Sequence, residues 1–286
     1  MKLKNLLIAS AIISTCAGIY SCKKENSVNP NSSSSSEIAS TAELGTDNVI
    51  SDNLNADAEN TLTQASADNN FSGSTPSGIT SPMGNLPACA IVTVSPAQGF
   101  PKTITIDFGT GCASGSGIIR SGTILITLSD SLRKSGSVAV MTFKNYYVGG
   151  YNIRGNITWT NTKQDTTNSW TRVCYDTITS PSGKTWMHTG THAVVQIAGN
   201  NTPKNIIDNV YLTTGSSTVT NPKGVTRTAT ILTPLEKKVS CDNIDSGTVK
   251  IQGPNHYAII DYGDGTCDRL ATLAIDGGTP VTILLR

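Results

Sequence analysis

The feature that most constrains the fold is a strict alternation of apolar and polar residues over many short runs. Clear runs cover residues 103–108, 123–128 and 153–159, and three more follow in the C-terminal part of the chain. Period-two alternation places one set of side chains on a buried face and the other in solvent, as in a half-buried strand. Turn signals such as the Gly-Gly pair at 149–150 separate the runs. The sequence therefore predicts an all-β domain over residues 88–286, built as an antiparallel sandwich or an open barrel.

The N-terminus has the organisation of an export signal. Two lysines precede an apolar stretch of fourteen residues, 6–19, which is shorter than the roughly 18 residues that a membrane-spanning helix needs. The stretch ends in Ile-Tyr-Ser-Cys at 19–22, which resembles a lipobox, the signal for lipid attachment to its Cys. We therefore predict that residues 1–21 are a lipoprotein signal peptide and that Cys22 carries lipid chains, palmitate among them, which anchor the chain stably. The alternative is an ordinary signal peptide with an incidental cysteine.

Residues 22–87 are predicted to be the lipidated Cys followed by a disordered, acidic, Ser-rich tether. Eight acids and no Lys or Arg lie from Glu25 to Pro101, and large apolar side chains are few. Such a composition buries too little apolar surface to offset the entropy of ordering the chain. A short helix near residues 56–64 is compatible with the pattern.

From Lys102 to Arg286, seventeen Lys and Arg stand against twelve acids; because the excess is mild and scattered, no nucleic-acid binding is expected.

Two segments of the domain, 104–112 and 258–267, resemble each other. Each is a strand followed by Asp, an aromatic residue, Gly, a second Gly and a Cys, with another Cys 23 or 26 residues before the last one. Exported proteins form disulfides, and the matching gaps suggest that each segment is closed on itself. The pairs that the repeat predicts are Cys89–Cys112 and Cys241–Cys267. Connectivity cannot be deduced from sequence alone, so a cross-pairing between the segments stays open.

One cysteine of the domain, Cys174, is left over by this pairing. A catalytic thiol needs a basic, partly exposed setting, and nothing near it in the sequence beyond Arg172 offers one. We therefore predict that Cys174 is a small, buried, hydrophobic residue.

The segment 100–112 (Phe-Pro-Lys-Thr-Ile-Thr-Ile-Asp-Phe-Gly-Thr-Gly-Cys) resembles a motif of uncharacterised lipoproteins from the Bacteroidetes. The resemblance continues at 120–124, 143–146 and 155–157, and it covers roughly residues 89–286. It implies an outer-membrane lipoprotein that is periplasmic or exposed on the cell surface. It implies no activity.

An acidic loop and two histidines are the candidate metal ligands. Three acids and two glycines within residues 261–268 would offer oxygen ligands to calcium, but a tight turn that needs Gly at positive φ explains the same residues. His188 and His192 flank Thr-Gly-Thr, and we interpret them as two residues beside a hairpin on a solvated face. No cysteine pair has the close spacing of a structural zinc site. We therefore predict neither a metal site nor a cofactor.

The remaining residues favour no catalytic site, because the common catalytic motifs are missing from the sequence. Trp159, Trp170 and Trp186 would suit a sugar-stacking platform, but aromatics on strands are more often core residues. The leading hypothesis is a non-enzymatic, membrane-anchored envelope lipoprotein whose β domain binds a ligand or has a structural role. The alternatives are a glycan-active hydrolase or lyase with acids such as Asp107 and Asp261 in a groove, and a carrier of an apolar ligand in an open barrel.

Overall fold

The computed structural model of the chain describes residues 30–68 and 86–285. One helix, α1, runs over Pro30–Asp68, and fourteen strands follow it. The strands are β1 (Ile91–Ser95), β2 (Lys102–Asp107), β3 (Cys112–Ala113), β4 (Ile119–Leu128), β5 (Val138–Val148), β6 (Tyr151–Asn161), β7 (Ser169–Thr179), β8 (Thr185–Ala198), β9 (Val210–Thr220), β10 (Thr226–Lys238), β11 (Ser246–Gln252), β12 (Tyr257–Asp264), β13 (Leu270–Ile275) and β14 (Val281–Leu284).

The strands form one open antiparallel sheet. Its order follows the chain from β1 to β14, except that β3 lies off the path and pairs with β4. Such a meander needs only short connections, because strands adjacent in sequence are also neighbours in space. The apolar positions of the alternating runs are the buried positions of the strands. In β2, for example, Ile104 and Ile106 are fully buried, and Thr105 between them is more exposed. The all-β prediction is confirmed, but the strands form one open sheet, which is neither the predicted sandwich nor a barrel.

The helix α1 is enclosed by this sheet. It contacts strands from β8 to β13, and its side chains also reach Arg120 in β4 and Arg172 in β7. Between residues 44 and 62, every helix position except Thr46 and Asn60 is buried. The prediction of a disordered tether is therefore wrong over residues 30–68, and the folded unit includes a helix well before the predicted start at residue 88.

The helix can be buried although it is polar, because its side chains find hydrogen-bond partners. Ser51 Oγ donates to the carbonyl of Asp47 at 2.8 Å, and Asn53 Nδ2 donates to that of Val49 at 2.9 Å. Such bonds to the preceding turn satisfy short polar side chains locally and remove most of the cost of burying them. Among the described residues, accordingly, no helix combines the length and the apolar character that a bilayer span requires.

Apolar contacts complete the packing of α1 against the sheet. Leu54 and Leu62 belong to the same buried core as Trp159. At Gly45 the helix comes so close that an added Cβ would lie 3.4 Å from Leu273. The interior of the molecule is therefore part apolar and part polar, with the helix supplying both kinds of group.

Both predicted disulfides are present. Cys89 and Cys112 have Cα atoms 5.7 Å apart, and Cys241 and Cys267 have Cα atoms 5.2 Å apart. Each bridge closes its own segment of the repeat, so the cross-pairing does not occur. Cys174 is free and buried, as predicted.

Candidate functional site

Acidic side chains of α1 pair with basic side chains that point inward from the strands. Arg120 Nη2 donates to Asp57 Oδ1 at 2.6 Å, and Arg172 Nη1 donates to Glu59 Oε2 at 3.1 Å. No side chain of these pairs is more than 10% exposed. Buried charges are tolerated only when they are paired and hydrogen-bonded, so these contacts fix how the helix sits inside the sheet.

A second group of buried titratable residues lies beside these pairs, and we call it the Cys174 cluster. It consists of Cys174 and Asp176 on β7, His188 on β8, and Asp52 on α1, each at most 4% exposed. Cys174 and Asp176 are two residues apart and therefore face the same side of the sheet. Asp176 is the partner of His188 in the β7–β8 ladder. Two strands and the helix thus bring four reactive side chains together.

His188 is the centre of the Cys174 cluster. Its Nδ1 lies 3.6 Å from Cys174 Sγ and 3.7 Å from Asp176 Oδ2, and its Nε2 lies 3.9 Å from Asp52 Oδ1. Burial lowers the pKa of His188, but the adjacent Cys174, Asp176 and Asp52 more than offset this and raise the pKa to about 10. The ring therefore holds a positive charge among acidic neighbours.

His192 lies on the same face of β8 but has the opposite character. Burial, together with the nearby Arg172 and His188, lowers the pKa of His192 well below its ordinary value, so this ring is neutral. Gly190 separates the two histidines, and an added Cβ there would lie only 2.7 Å from His192 Cε1. The prediction of hairpin-flanking histidines on a solvated face is wrong, because β8 continues through Gly190 and alternation turns both rings inward.

Sequence reasoning located Cys174 correctly in the interior but missed its neighbours. Asp176 lies two residues away on β7, but His188 comes from the next strand and Asp52 from the helix, so no short motif contains all of them. The signal that would have found them is the turn at Ser182-Gly183: a tight hairpin centred there pairs Asp176 with His188, and this is the register that the structure has.

A cavity of about 700 Å³ lies where the second half of α1 meets the loops of the sheet. Its wall includes Asp57 and Gln64 of the helix, Arg120 of β4, and the loop residues 114–116. Its volume falls in the range of small-molecule sites. The charged and amide groups in its wall suit a polar ligand.

The three tryptophans belong to the core, so the sugar-stacking platform finds no support. Trp159, Trp170 and Trp186 are at most 6% exposed. Trp186 Nε1 donates to Ser51 Oγ of the helix at 2.9 Å. Trp170 Nε1 donates to the carbonyl of Leu132 at 3.1 Å. These rings hold the helix and the loops in place.

The acids of the repeated segments hold the backbone that follows them. Asp107 Oδ1 accepts from the backbone N–H of Gly109, and Asp261 Oδ1 from that of Gly263, each at 2.9 Å. Gly263 lies within β12 and has a φ of +102°, so its backbone conformation explains the Gly without a calcium ion. Asp107 and Asp261 are both exposed, and neither lines the cavity beside α1. The glycan-active alternative therefore loses the acids on which it was based.

No family model matches the chain, and neither a curated protein nor a solved structure matches it. The resemblance to Bacteroidetes lipoproteins stays a prediction. Cys22 and the export signal lie outside the described residues, so lipidation stays a prediction too.

Proposed function

We propose that this protein is an envelope lipoprotein of the outer membrane, anchored through lipid chains on Cys22, whose β domain is a rigid binding module. The observation that carries the proposal is the lipobox-like sequence at 19–22 directly after an apolar stretch of fourteen residues. Such a Cys carries two or three acyl chains, enough for stable anchoring. The face of the envelope on which the domain lies, periplasmic or external, is left to experiment.

The start of α1 changes how far the module extends from its anchor. Pro30, the first residue of the helix, follows Cys22 by eight residues. Eight residues span at most about 29 Å when fully extended. The folded domain therefore works close to the membrane surface rather than at the end of a long stalk.

A binding role is favoured over a purely structural one by the cavity beside α1. Its walls come from the helix and the sheet, which the ion pairs of Asp57 and Glu59 lock together. A preformed site costs little ordering free energy when it binds. The Asp57–Arg120 pair in the wall suits a polar ligand with hydrogen-bonding groups.

The alternatives have less support. Cys174 and His188 are the residue types of a nucleophile and its base, but both side chains are fully buried, so no substrate reaches them. The carrier of an apolar ligand needs an open interior, and α1 occupies that interior with a largely polar surface. Neither alternative gains a site from the residues that the structure describes.

Metabolic labelling with a palmitate analogue, followed by membrane fractionation, tests the anchor. We expect label and membrane association in the wild type and in Cys16→Ala, the control for a second cysteine in the same signal segment. Cys22→Ala should lose both, because the acceptor of the lipid is gone. Unlabelled wild-type protein in the soluble fraction would refute the proposal.

A further inference from the structure

We propose that Cys174, Asp176 and His188 form a buried site for one thiophilic divalent metal ion, with zinc as the best fit. This goes beyond the binding role, because the site lies inside the fold and not in the cavity. It also departs from the sequence-based expectation of no metal, since its ligands come from two strands rather than from a close cysteine pair.

The distances between the ligand atoms are close to those of a tetrahedral site. With Zn–S of about 2.3 Å, Zn–N of about 2.05 Å and Zn–O of about 2.1 Å, a tetrahedron has an S···N edge of about 3.6 Å and an N···O edge of about 3.4 Å. Cys174 Sγ and His188 Nδ1 are 3.6 Å apart, and His188 Nδ1 and Asp176 Oδ2 are 3.7 Å apart. All three ligand atoms lie within 4.8 Å of one another. One thiolate, one imidazole and one carboxylate form a donor set that suits zinc.

The carboxylate of Asp176 lacks the hydrogen bonds that a buried carboxylate needs, even with the His188 ring nearby. The residue is 4% exposed, and neither of its oxygens has a hydrogen-bond partner among the described residues. The nearest basic group is His188 Nδ1, which at 3.7 Å lies beyond hydrogen-bond distance. A buried, unsatisfied carboxylate is costly and rare. A metal ion between Cys174 and His188 would give the Asp176 carboxylate a cation to coordinate.

Asn55 of α1 offers a fourth ligand. It is 2% exposed, and its Oδ1 has no hydrogen-bond partner among the described residues. Its Nδ2 lies 3.4 Å from His188 Nδ1. A half-turn of the amide exchanges its oxygen and nitrogen. Asn55 Oδ1 would then point toward His188 Nδ1, where the ion would bind. The ion would then join the helix to β7 and β8.

Asp52 stands where a metal-bound histidine usually has its supporting carboxylate. Such a ligand typically donates its second ring N–H to a carboxylate, which fixes its orientation. Asp52 Oδ1 lies 3.9 Å from His188 Nε2. Asp52 is itself held by Asn48 Nδ2 at 2.7 Å and by the Tyr262 hydroxyl at 3.2 Å.

Loading the site exchanges protons for metal. The ion binds a thiolate and a neutral imidazole, so any proton on Cys174 Sγ or on His188 Nδ1 leaves as the divalent cation enters. Because the ligands are buried, the ion enters while the chain folds, and the metal should be offered during refolding.

Cobalt substitution tests the site. The purified chain is unfolded in denaturant with its disulfides intact, freed of metal with a chelator, and refolded with Co²⁺. We expect one Co²⁺ per chain, the intense visible bands of tetrahedral cobalt, and a thiolate-to-cobalt charge-transfer band. Refolding with Zn²⁺ in place of Co²⁺ should raise the midpoint of unfolding above that of the metal-free protein.

Three variants and a control assign the ligands. Cys174→Ser should abolish the charge-transfer band, and Asp176→Asn and His188→Gln should each weaken cobalt binding by at least about tenfold. His192→Gln is the matched control, a buried histidine on the same face of β8, and it should bind cobalt like the wild type. Circular dichroism checks that each variant folds.

Two results would overturn the proposal. The first is wild-type protein that refolds to its native spectrum in Co²⁺ and binds none of it, which would leave the cluster as a hydrogen-bonded part of the core. The second is folded Cys174→Ser, a nearly isosteric variant, that binds cobalt as tightly as the wild type.

Discussion

Arg172 of β7 donates a hydrogen bond to Glu59 of α1 across 3.1 Å, with 4% of one side chain and 9% of the other exposed. The Arg120–Asp57 pair makes a second such contact. The helix α1 contains no Lys or Arg, so strands β4 and β7 supply the positive charges that the buried Asp57 and Glu59 need. Residues 44–62 of the helix are therefore part of the core of the β domain.

Removing one member of the Glu59–Arg172 pair should be severely destabilising. Arg172→Met leaves Glu59 buried without its cation, which typically costs about 3–5 kcal/mol. The double variant Glu59→Leu/Arg172→Met should recover most of that loss, because apolar side chains of similar volume need no partner. Urea unfolding of the three proteins measures both effects.

The Lys134–Asp130 pair is the matched control for this experiment. Its side chains are 64% and 32% exposed, and exposed pairs contribute at most about 1 kcal/mol. Lys134→Met should therefore change the free energy of unfolding only slightly. Equal losses in Lys134→Met and Arg172→Met would argue against a buried, paired interior.

Removing either disulfide should lower stability. Each bridge closes a loop of 23 or 26 residues, which corresponds to roughly 3 kcal/mol in the chain-entropy treatment. Replacing Cys89 and Cys112 together by Ala should cost about this much in a chemical unfolding experiment. A loss much below 1 kcal/mol would mean that the unfolded chain is already restricted in this region.

Stability should fall at low pH through Glu37. The backbone N–H of Asn255, followed by the side chain of Asn255 and the backbone N–H of His256, donates hydrogen bonds that lower the pKa of Glu37 to about 2, against 4.5 in an unfolded chain. A lowered pKa gives a contribution that is complete above about pH 4.5 and disappears as the pH falls toward 2. The stability difference between the wild type and Glu37→Gln should therefore shrink over this range. A constant difference between the wild type and Glu37→Gln from pH 5 to pH 2 would show that the bonds to Asn255 and His256 do not form.

The strands could be predicted from the sequence because alternation is a local property. The runs at 103–108 and 153–159 are strands β2 and β6 within a residue or two at each end, and the repeat gave the disulfides because each bridge stays within its segment. The helix could not be predicted in this way. Its composition is that of a disordered segment, and its polar groups are satisfied by partners far along the chain, 113 residues away in Glu59–Arg172 and 210 residues away in Asp52–Tyr262.

The charge distribution was the overlooked signal for α1. An acidic segment free of Lys and Arg precedes a domain with a basic excess, although composition alone predicts a solvated segment and scattered surface cations. Arg120, Arg172 and Arg227 each occupy an inward position on a strand. A positive side chain at a position that alternation assigns to the core requires a buried partner. The Cys174 cluster was hidden for a similar reason, since strand register brings it together.

Hydrogen exchange followed by mass spectrometry measures directly whether residues 44–62 of α1 belong to the folded core. Amides of residues 44–62 should be protected as strongly as those of β7 and β8, because the helix cannot open without breaking the buried pairs of Asp57 and Glu59. The exposed loop residues 164–167 provide a reference within the same chain. If residues 44–62 exchange at the rate of an unfolded peptide while β7 and β8 stay protected, this segment is a disordered tether and not part of the core.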